Sequence, residues 1–156
     1  MDNNEIKTLA FYRLEQSKEN LEEAEALFSI NKFKGASNRA YYAIFHAIKA
    51  ILALEETDFK KHSSVIAYFN KEYISKNIFP RELGKRVSEA RFFREKSDYV
   101  DFYIVTKEEC QAQIETAKVM IESAEKFIND KIKEWFLVIT LLMQLKFGAY
   151  LQSLLL

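Results

Sequence analysis

An arginine and a histidine stand seven residues apart in a stretch of strong helical character. Arg39 and His46 lie within the segment SNRAYYAIFHAIKA, residues 37–50. Because seven residues are almost two turns of an α-helix, both side chains project from one face, about 10 Å apart along the axis. Arginine binds the anionic oxygens of a phosphodiester, and histidine moves protons near neutral pH. An arginine and a histidine that face the same space are what a metal-independent attack on a phosphodiester needs, so Arg39 and His46 are the candidate catalytic residues.

Structural roles for the same residues remain open alternatives. Tyr42 lies about one turn from both catalytic candidates and is placed to orient either one, or it is an aromatic residue of the core or of an interface. His46 is alternatively a core histidine. Arg39 is alternatively the partner of an acid in the preceding helix, such as Glu22 or Glu25.

The composition is typical of a single all-helical domain. The 156 residues include only three glycines and one proline, and residues with high helix propensity dominate. The single cysteine, Cys110, cannot form an internal disulfide, and the chain starts without a basic leader or an apolar segment. We therefore expect a cytoplasmic protein in a reducing compartment, with Cys110 unreactive.

Charge is unevenly distributed although the formal net charge is zero. Residues 2–30 carry seven acids against three bases, whereas residues 32–54 carry four bases and no acid. Residues 76–96 carry seven bases against three acids. These basic segments favour an anionic partner such as RNA, with ordinary solvated helix faces as the alternative.

Helical periodicity predicts an up-and-down antiparallel bundle of about five helices. The predicted helices cover about residues 4–30, 36–54, 63–74, 80–96 and 107 to at least 135. The second is apolar around most of its circumference and should lie at the centre. Gly35 is predicted to form the turn before it. Thr106 and Glu109 have the spacing of a capping box at the start of the last helix.

The C-terminal segment differs abruptly from the rest of the chain. We divide the sequence into a bundle over residues 1–134 and an apolar helical extension over residues 135–156. Its length is near that of a membrane span, but Lys146 near its middle makes a lone span costly. We expect this helix to pack on the bundle or on a second subunit. Membrane association and an artefact of the reading frame are the alternatives.

The segment around Arg39 and His46 resembles the second-helix motif of HEPN domains, in the small prokaryotic UPF0332-type branch. Three further segments resemble the same family in the same order. They are Lys61-His62-Ser63-Ser64-Val65 with Phe69, then Arg91 and Arg94 with Ser97-Asp98-Tyr99, then Ala117 with Ala124 to Phe127. The resemblance covers roughly residues 5–133.

The resemblance implies a helical bundle that pairs as a homodimer and an Arg-x(4–6)-His ribonuclease motif. It also implies a toxin neutralised by a nucleotidyltransferase antitoxin. Active members usually have a polar residue directly after the arginine, whereas this chain has Ala40, and Asn38 precedes Arg39. Arg91 and Arg94 are candidates to bind RNA or the antitoxin, or to form a structural network with Asp98 and Tyr99.

The predicted substrate-binding residues are therefore Asn38, Tyr42, Arg91 and Arg94. The alternative function is a non-catalytic helical module that dimerises and binds a nucleotidyltransferase or a nucleotide. We expect no metal and no cofactor, because two histidines and one cysteine lie far apart in sequence. Three scattered glycines build no phosphate-binding loop. A structural or solvent-facing role is expected for His62.

Overall fold

Five α-helices make up the chain in the computed structural model, which describes residues 2–154 and the side chains of residues 2–147. They are α1 (Asn3–Ser29), α2 (Phe33–Ala53), α3 (His62–Phe69), α4 (Arg81–Tyr99) and α5 (Lys107–Leu154). A π-helical turn, Asn70–Ile74, continues α3. The described residues contain no strand, so the all-α prediction is confirmed.

Helices α1 and α2 are antiparallel and in close contact. The buried Ser17 hydroxyl donates to the Ala43 carbonyl at 2.6 Å, while Arg13 donates to the Lys49 carbonyl at 3.0 Å. Alanines recur along α2 and are fully buried, which lets the helix backbones approach each other: they are Ala36, Ala40, Ala43, Ala47 and Ala50. This contact fixes which face of α2 remains open.

Helix α5 covers a further side of α2 and runs antiparallel to α1. Lys18 pairs with Glu125 at 2.9 Å, and Glu25 pairs with Lys118 at 2.9 Å. Within the core, the Ser37 hydroxyl donates to Gln113 Oε1 at 2.8 Å. Thirteen of the 21 residues of α2 are buried, which confirms its predicted central position.

The turn between α1 and α2 is built differently from the prediction. Gly35 lies inside α2, and Asn31 is the residue in the left-handed region, with φ of 59°. The Asn31 N–H donates to the Phe28 carbonyl and the Lys32 N–H to the Leu27 carbonyl. This hydrogen-bond pattern ends a helix at a left-handed residue, a conformation that asparagine tolerates.

Helix α4 begins as predicted but extends further. Pro80 is its N-cap, and the helix continues to Tyr99, so the predicted connection from Ser97 is wrong at its start. An Arg94–Asp98 ion pair of 3.6 Å, one turn apart, supports the last turn. At the start of α5 the capping box is confirmed, since Thr106 Oγ1 accepts from the Glu109 N–H at 3.1 Å.

The C-terminal segment continues α5 without a break. Trp135 is half-buried near the start of α1, and Phe136 and Ile139 line a pocket with Lys7 of α1, but residues 136–147 are exposed in the single chain. Packing of this segment on the bundle or on a second subunit stays a prediction. The side chains of residues 148–156 lie outside the described part. No helix among the described residues combines the length and apolar character that crossing a membrane requires.

Two helical glycines should respond in opposite ways to alanine. A Cβ on Gly84 would lie 2.8 Å from Ile74 Cγ2, whereas one on Gly35 would lie 3.3 Å from the flexible end of Leu27. We expect Gly84→Ala to lower the free energy of unfolding by about 1–3 kcal/mol. Gly35→Ala should leave it unchanged or raise it by up to about 1 kcal/mol. Urea denaturation of both variants measures this, and a stabilised Gly84→Ala would contradict the packing described.

Candidate functional site

Arg39, Tyr42 and His46 form a row on the open face of α2. The Arg39 guanidinium carbon lies 5.7 Å from the centre of the Tyr42 ring, and the Tyr42 and His46 rings are 6.4 Å apart. All three side chains are half-buried on a helix whose other faces are buried. The spacing of 39, 42 and 46 therefore puts these side chains together where a ligand can reach them.

The His46 imidazole is held by rings rather than by hydrogen bonds. It lies edge-to-face with Phe45 at 5.7 Å and beside Tyr42. None of the described residues forms a hydrogen bond to its nitrogens. Burial lowers the pKa of His46 below 6.5, and the nearby charges of Lys49 and Arg13 lower it further. The ring is thus neutral at pH 7, with a nitrogen that can accept a proton.

Arg39 already has an acidic partner within the chain. Its Nη1 lies 3.3 Å from a Glu23 carboxylate oxygen and 3.4 Å from Asn20 Oδ1, both on α1. The acid is neither Glu22 nor Glu25, the residues named from the sequence, and Glu25 pairs with Lys118 instead. The Arg39 side chain remains 43% exposed, so the ion pair leaves it open to exchange for a phosphate.

A cleft of about 390 Å³ adjoins Arg39 between α2 and α4. We call it the α2–α4 cleft, and its polar lining comprises Lys34, Ser37, Asn38, Arg39, Arg94, Ser97 and Asp98. Three cations line it against one carboxylate, and Glu23 pairs with Arg39 from outside the lining, so the cleft keeps an excess of positive charge that favours an anion. The predicted residues Asn38 and Arg94 thus meet Arg39 here.

Arg94 connects the α2–α4 cleft to the row on α2. Its Nη2 donates to the Tyr42 hydroxyl at 3.5 Å, and its guanidinium lies over the Tyr41 and Tyr42 rings at 5.2 and 5.6 Å. Its Nε is buried without a hydrogen-bond partner among the described residues. Burial raises the pKa of Tyr41 to about 12, so this phenol stays neutral.

Arg91 lies elsewhere. Its Nε binds Glu95 at 2.8 Å, and it lines a separate cleft with Phe92 and Asn70. The structure therefore brings together Asn38, Tyr42 and Arg94, whereas Arg91, one helical turn from Arg94, lines a separate cleft.

His62 lies close to the row on α2, a position that the sequence did not indicate. Its ring stacks on Phe45 with centres 4.0 Å apart, and its Nδ1 lies 3.4 Å from the Tyr41 hydroxyl. Burial, then the charges of Arg94 and Lys49, lower its pKa below 6.5. Both histidines therefore contact Phe45 and Tyr42. The available sequence signal was Lys60-Lys61-His62, a basic run directly before a helix.

Two further sequence expectations concern residues that point inward. Ala40, which directly follows Arg39, is fully buried. Cys110 is also buried, and burial raises its thiol pKa to about 11, which favours the expected lack of reactivity. No cluster of three or more His, Cys, Asp or Glu side chains suited to a metal occurs among the described residues.

Comparison with known proteins assigns the family. The model of the HEPN domain matches residues 10–131, which include the whole row on α2 and the α2–α4 cleft. The chain belongs to the HEPN domain family.

Named relatives resemble the chain over most of its length. A Thermotoga maritima protein named "UPF0332 protein" is 31% identical over 127 residues, 81% of this chain and 96% of its own. "Putative toxin MJ0142" of Methanocaldococcus jannaschii is 30% identical over 118 residues, 76% of this chain and 80% of its own. "Putative toxin MJ0605" of the same organism is 31% identical over 117 residues, 75% of this chain and 87% of its own.

The two lowered histidine pKa values predict a loss of stability in mild acid. The unfolded chain, with histidine pKa values near 6.5, binds protons more readily than the folded chain, so stability is complete above that pH and falls below it. We expect the thermal midpoint of the wild type to fall between pH 7.5 and 5.5. The double variant His46→Gln/His62→Gln should lose less over that range. Equal losses in both proteins would contradict the assignment to these imidazoles.

Proposed function

We propose that this protein is a metal-independent endoribonuclease of the HEPN type that acts as a cytoplasmic toxin. The observation that carries this proposal is the neutral, half-buried His46 imidazole, in one row with Tyr42 and an exposed arginine. Two relatives whose names call them toxins support the biological role. As the toxin of a pair, it would be neutralised by a nucleotidyltransferase antitoxin.

The reaction begins at His46, which takes the proton of a ribose 2′-hydroxyl. The 2′ oxygen attacks the adjacent phosphorus, the bond from phosphorus to the 5′ oxygen breaks, and that oxygen takes a proton from water. Arg39 stabilises the negative charge on the phosphate oxygens as it grows. The products are an end with a 2′,3′-cyclic phosphate and an end with a free 5′-hydroxyl. DNA lacks the attacking group and is not cut.

The buried position of Ala40 bears on whether the site is competent. A polar side chain there would be buried, away from the open face, and would lack solvent. Asn38 lines the α2–α4 cleft beside Arg39 and supplies a polar group on the accessible side. A polar residue at position 40 would therefore not belong to the row on α2, and Ala40 leaves that row complete.

The proposed active unit is a homodimer. One chain leaves the row on α2 open on one side, and a second copy related by a two-fold axis would supply the other wall. Two rows facing each other would surround the RNA and exclude water. This arrangement follows the family resemblance.

A second candidate function is a non-catalytic binding module. The Arg39–Glu23 ion pair favours it, because an arginine that holds α1 against α2 has a structural role. Such a module would use the α2–α4 cleft to bind a nucleotide or a nucleotidyltransferase without cleaving RNA.

Cleavage of RNA by purified protein in EDTA separates the two functions. We expect His46→Ala to lower the rate at least about 100-fold, as for loss of a general base, and Arg39→Ala to lower it by about 100- to 1,000-fold. Arg81→Ala, an exposed arginine at the start of α4, is the matched control and should cleave normally. Helicity and oligomeric state are measured for each variant. Well-folded wild type that cuts no RNA would favour the binding module.

The ion pair on Arg39 gives a second test. Because the Glu23 carboxylate competes with the substrate phosphate for the guanidinium, Glu23→Gln should lower KM a few-fold, the size of one exposed ion pair. Glu22→Gln, a neighbouring exposed acid, has the same change in charge and should have no effect. Equal effects of both substitutions would indicate only a change in overall charge.

A further inference from the structure

A second basic cleft lies on the other side of His46 from the α2–α4 cleft. It has a volume of about 480 Å³ and lies between α2, the loop after it and the start of α3. We call it the α2–α3 cleft, and it is lined by Phe45, Lys49, Asp58, Phe59, Lys60 and His62. The catalytic steps above use none of these residues.

We propose that the α2–α3 cleft is a nucleotide subsite, which binds one base and one phosphate of a single-stranded RNA next to the bond that is cut. The inference rests on the proposed function for the identity of the strand. Its own basis is the charge, the aromatic faces and the position of the cleft.

The charge of the cleft suits a phosphate. Asp58 is the one acid in the lining, and it is bound by Arg13 at 2.8 Å and by Lys49 at 3.0 Å. These two cations neutralise the carboxylate and hold its pKa below the usual range, despite its partial burial. Lys60 is exposed at the rim. The cluster of Arg13, Lys49 and Lys60 against Asp58 therefore keeps a net positive charge.

The aromatic side chains suit a base. Phe45 is buried and supports the His62 ring, which stacks on it with ring centres 4.0 Å apart and planes within 17°. The half-buried rings of His62 and Phe59 are therefore the ones that a base can contact at the cleft. Stacking on such rings does not depend on base identity, because every base presents a π-face. A base that pairs in a duplex is unavailable for this contact, so the site selects single strands.

The position of the cleft makes it continuous with the row on α2. Lys49 follows His46 by three residues on the same helix, and Phe45 contacts both histidine rings. Ten helical residues separate Arg39 from Lys49, about 15 Å along the axis. A strand whose reacting phosphate lies near Arg39 and His46 thus reaches the α2–α3 cleft with a neighbouring nucleotide.

The test uses binding, so that it does not depend on cleavage. The probe is a fluorescein-labelled 2′-O-methyl RNA of about eight nucleotides, a length within the range of single-strand sites. This probe lacks the attacking hydroxyl and cannot be cut. Fluorescence anisotropy at several salt concentrations gives its Kd and the salt dependence of binding to the full-length protein.

Two substitutions test the charge and the stacking separately. Lys60→Gln should reduce the slope of log K against log salt by about 0.7, the value for one phosphate contact on a single strand. Lys133→Gln, an exposed lysine on α5, is the matched control and should leave the slope unchanged. His62→Ala should weaken binding about 10-fold or more, whereas His62→Phe, which keeps an aromatic ring, should bind nearly as well as the wild type.

The outcomes distinguish this inference from the proposed function. Unchanged binding by Lys60→Gln and by a folded His62→Ala would overturn the subsite, even if the wild type cleaves RNA. If RNA binding depends on Lys60 and His62 as expected but the wild type cleaves no RNA, the subsite is supported and the ribonuclease proposal fails. If Lys133→Gln weakens RNA binding as much as Lys60→Gln does, the loss reflects only the overall charge of the protein, and the subsite is overturned as well.

Discussion

Helix α2 is buried on most of its circumference by α1 and α5. Alanines bring its backbone close to α1, and the Ser17 hydroxyl satisfies the Ala43 carbonyl within that contact. Helix α5 covers a further side, with Ser37 bound to Gln113. What remains accessible is a narrow stripe through Arg39, Tyr42, His46 and Lys49. Because the same packing creates the core and defines the stripe, the candidate site cannot be separated from the stability of the bundle.

Partial burial gives the stripe its electrostatic character. Burial removes water from His46 and His62, and nearby cations repel a further positive charge on their rings. Both effects lower the two histidine pKa values, so neutral imidazoles face a basic surface at pH 7. Arg94 extends that surface into the α2–α4 cleft and lies over two tyrosine rings. Three acids moderate it: Glu23 at Arg39, Asp58 at Lys49 and Asp98 at Arg94. Each acid holds a cation in place and also competes with a phosphate for that cation.

The apolar end of α5 has a different relation to the bundle. From residue 136 to 147 its side chains are exposed in the single chain, whereas the preceding part of the helix lies against α1 and α2. The family match ends at residue 131, shortly before this change. Residues 136–147 therefore add an exposed apolar segment to a domain whose candidate site, on α2 and α4, is built without them.

The helices, the central place of α2 and the shared face of Arg39 and His46 follow from the sequence, because helical periodicity and local capping need no distant contact. The sequence pointed to Gly35 as the turn residue, but Asn31 is the residue in the left-handed region, because asparagine as well as glycine tolerates that conformation. Packing between the helices sets three further features: Glu23 is the partner of Arg39, Ala40 is buried, and His62 stacks on Phe45. Those contacts join residues from different helices, and their geometry depends on how the helices are rotated against one another, which the spacing within one helix does not specify.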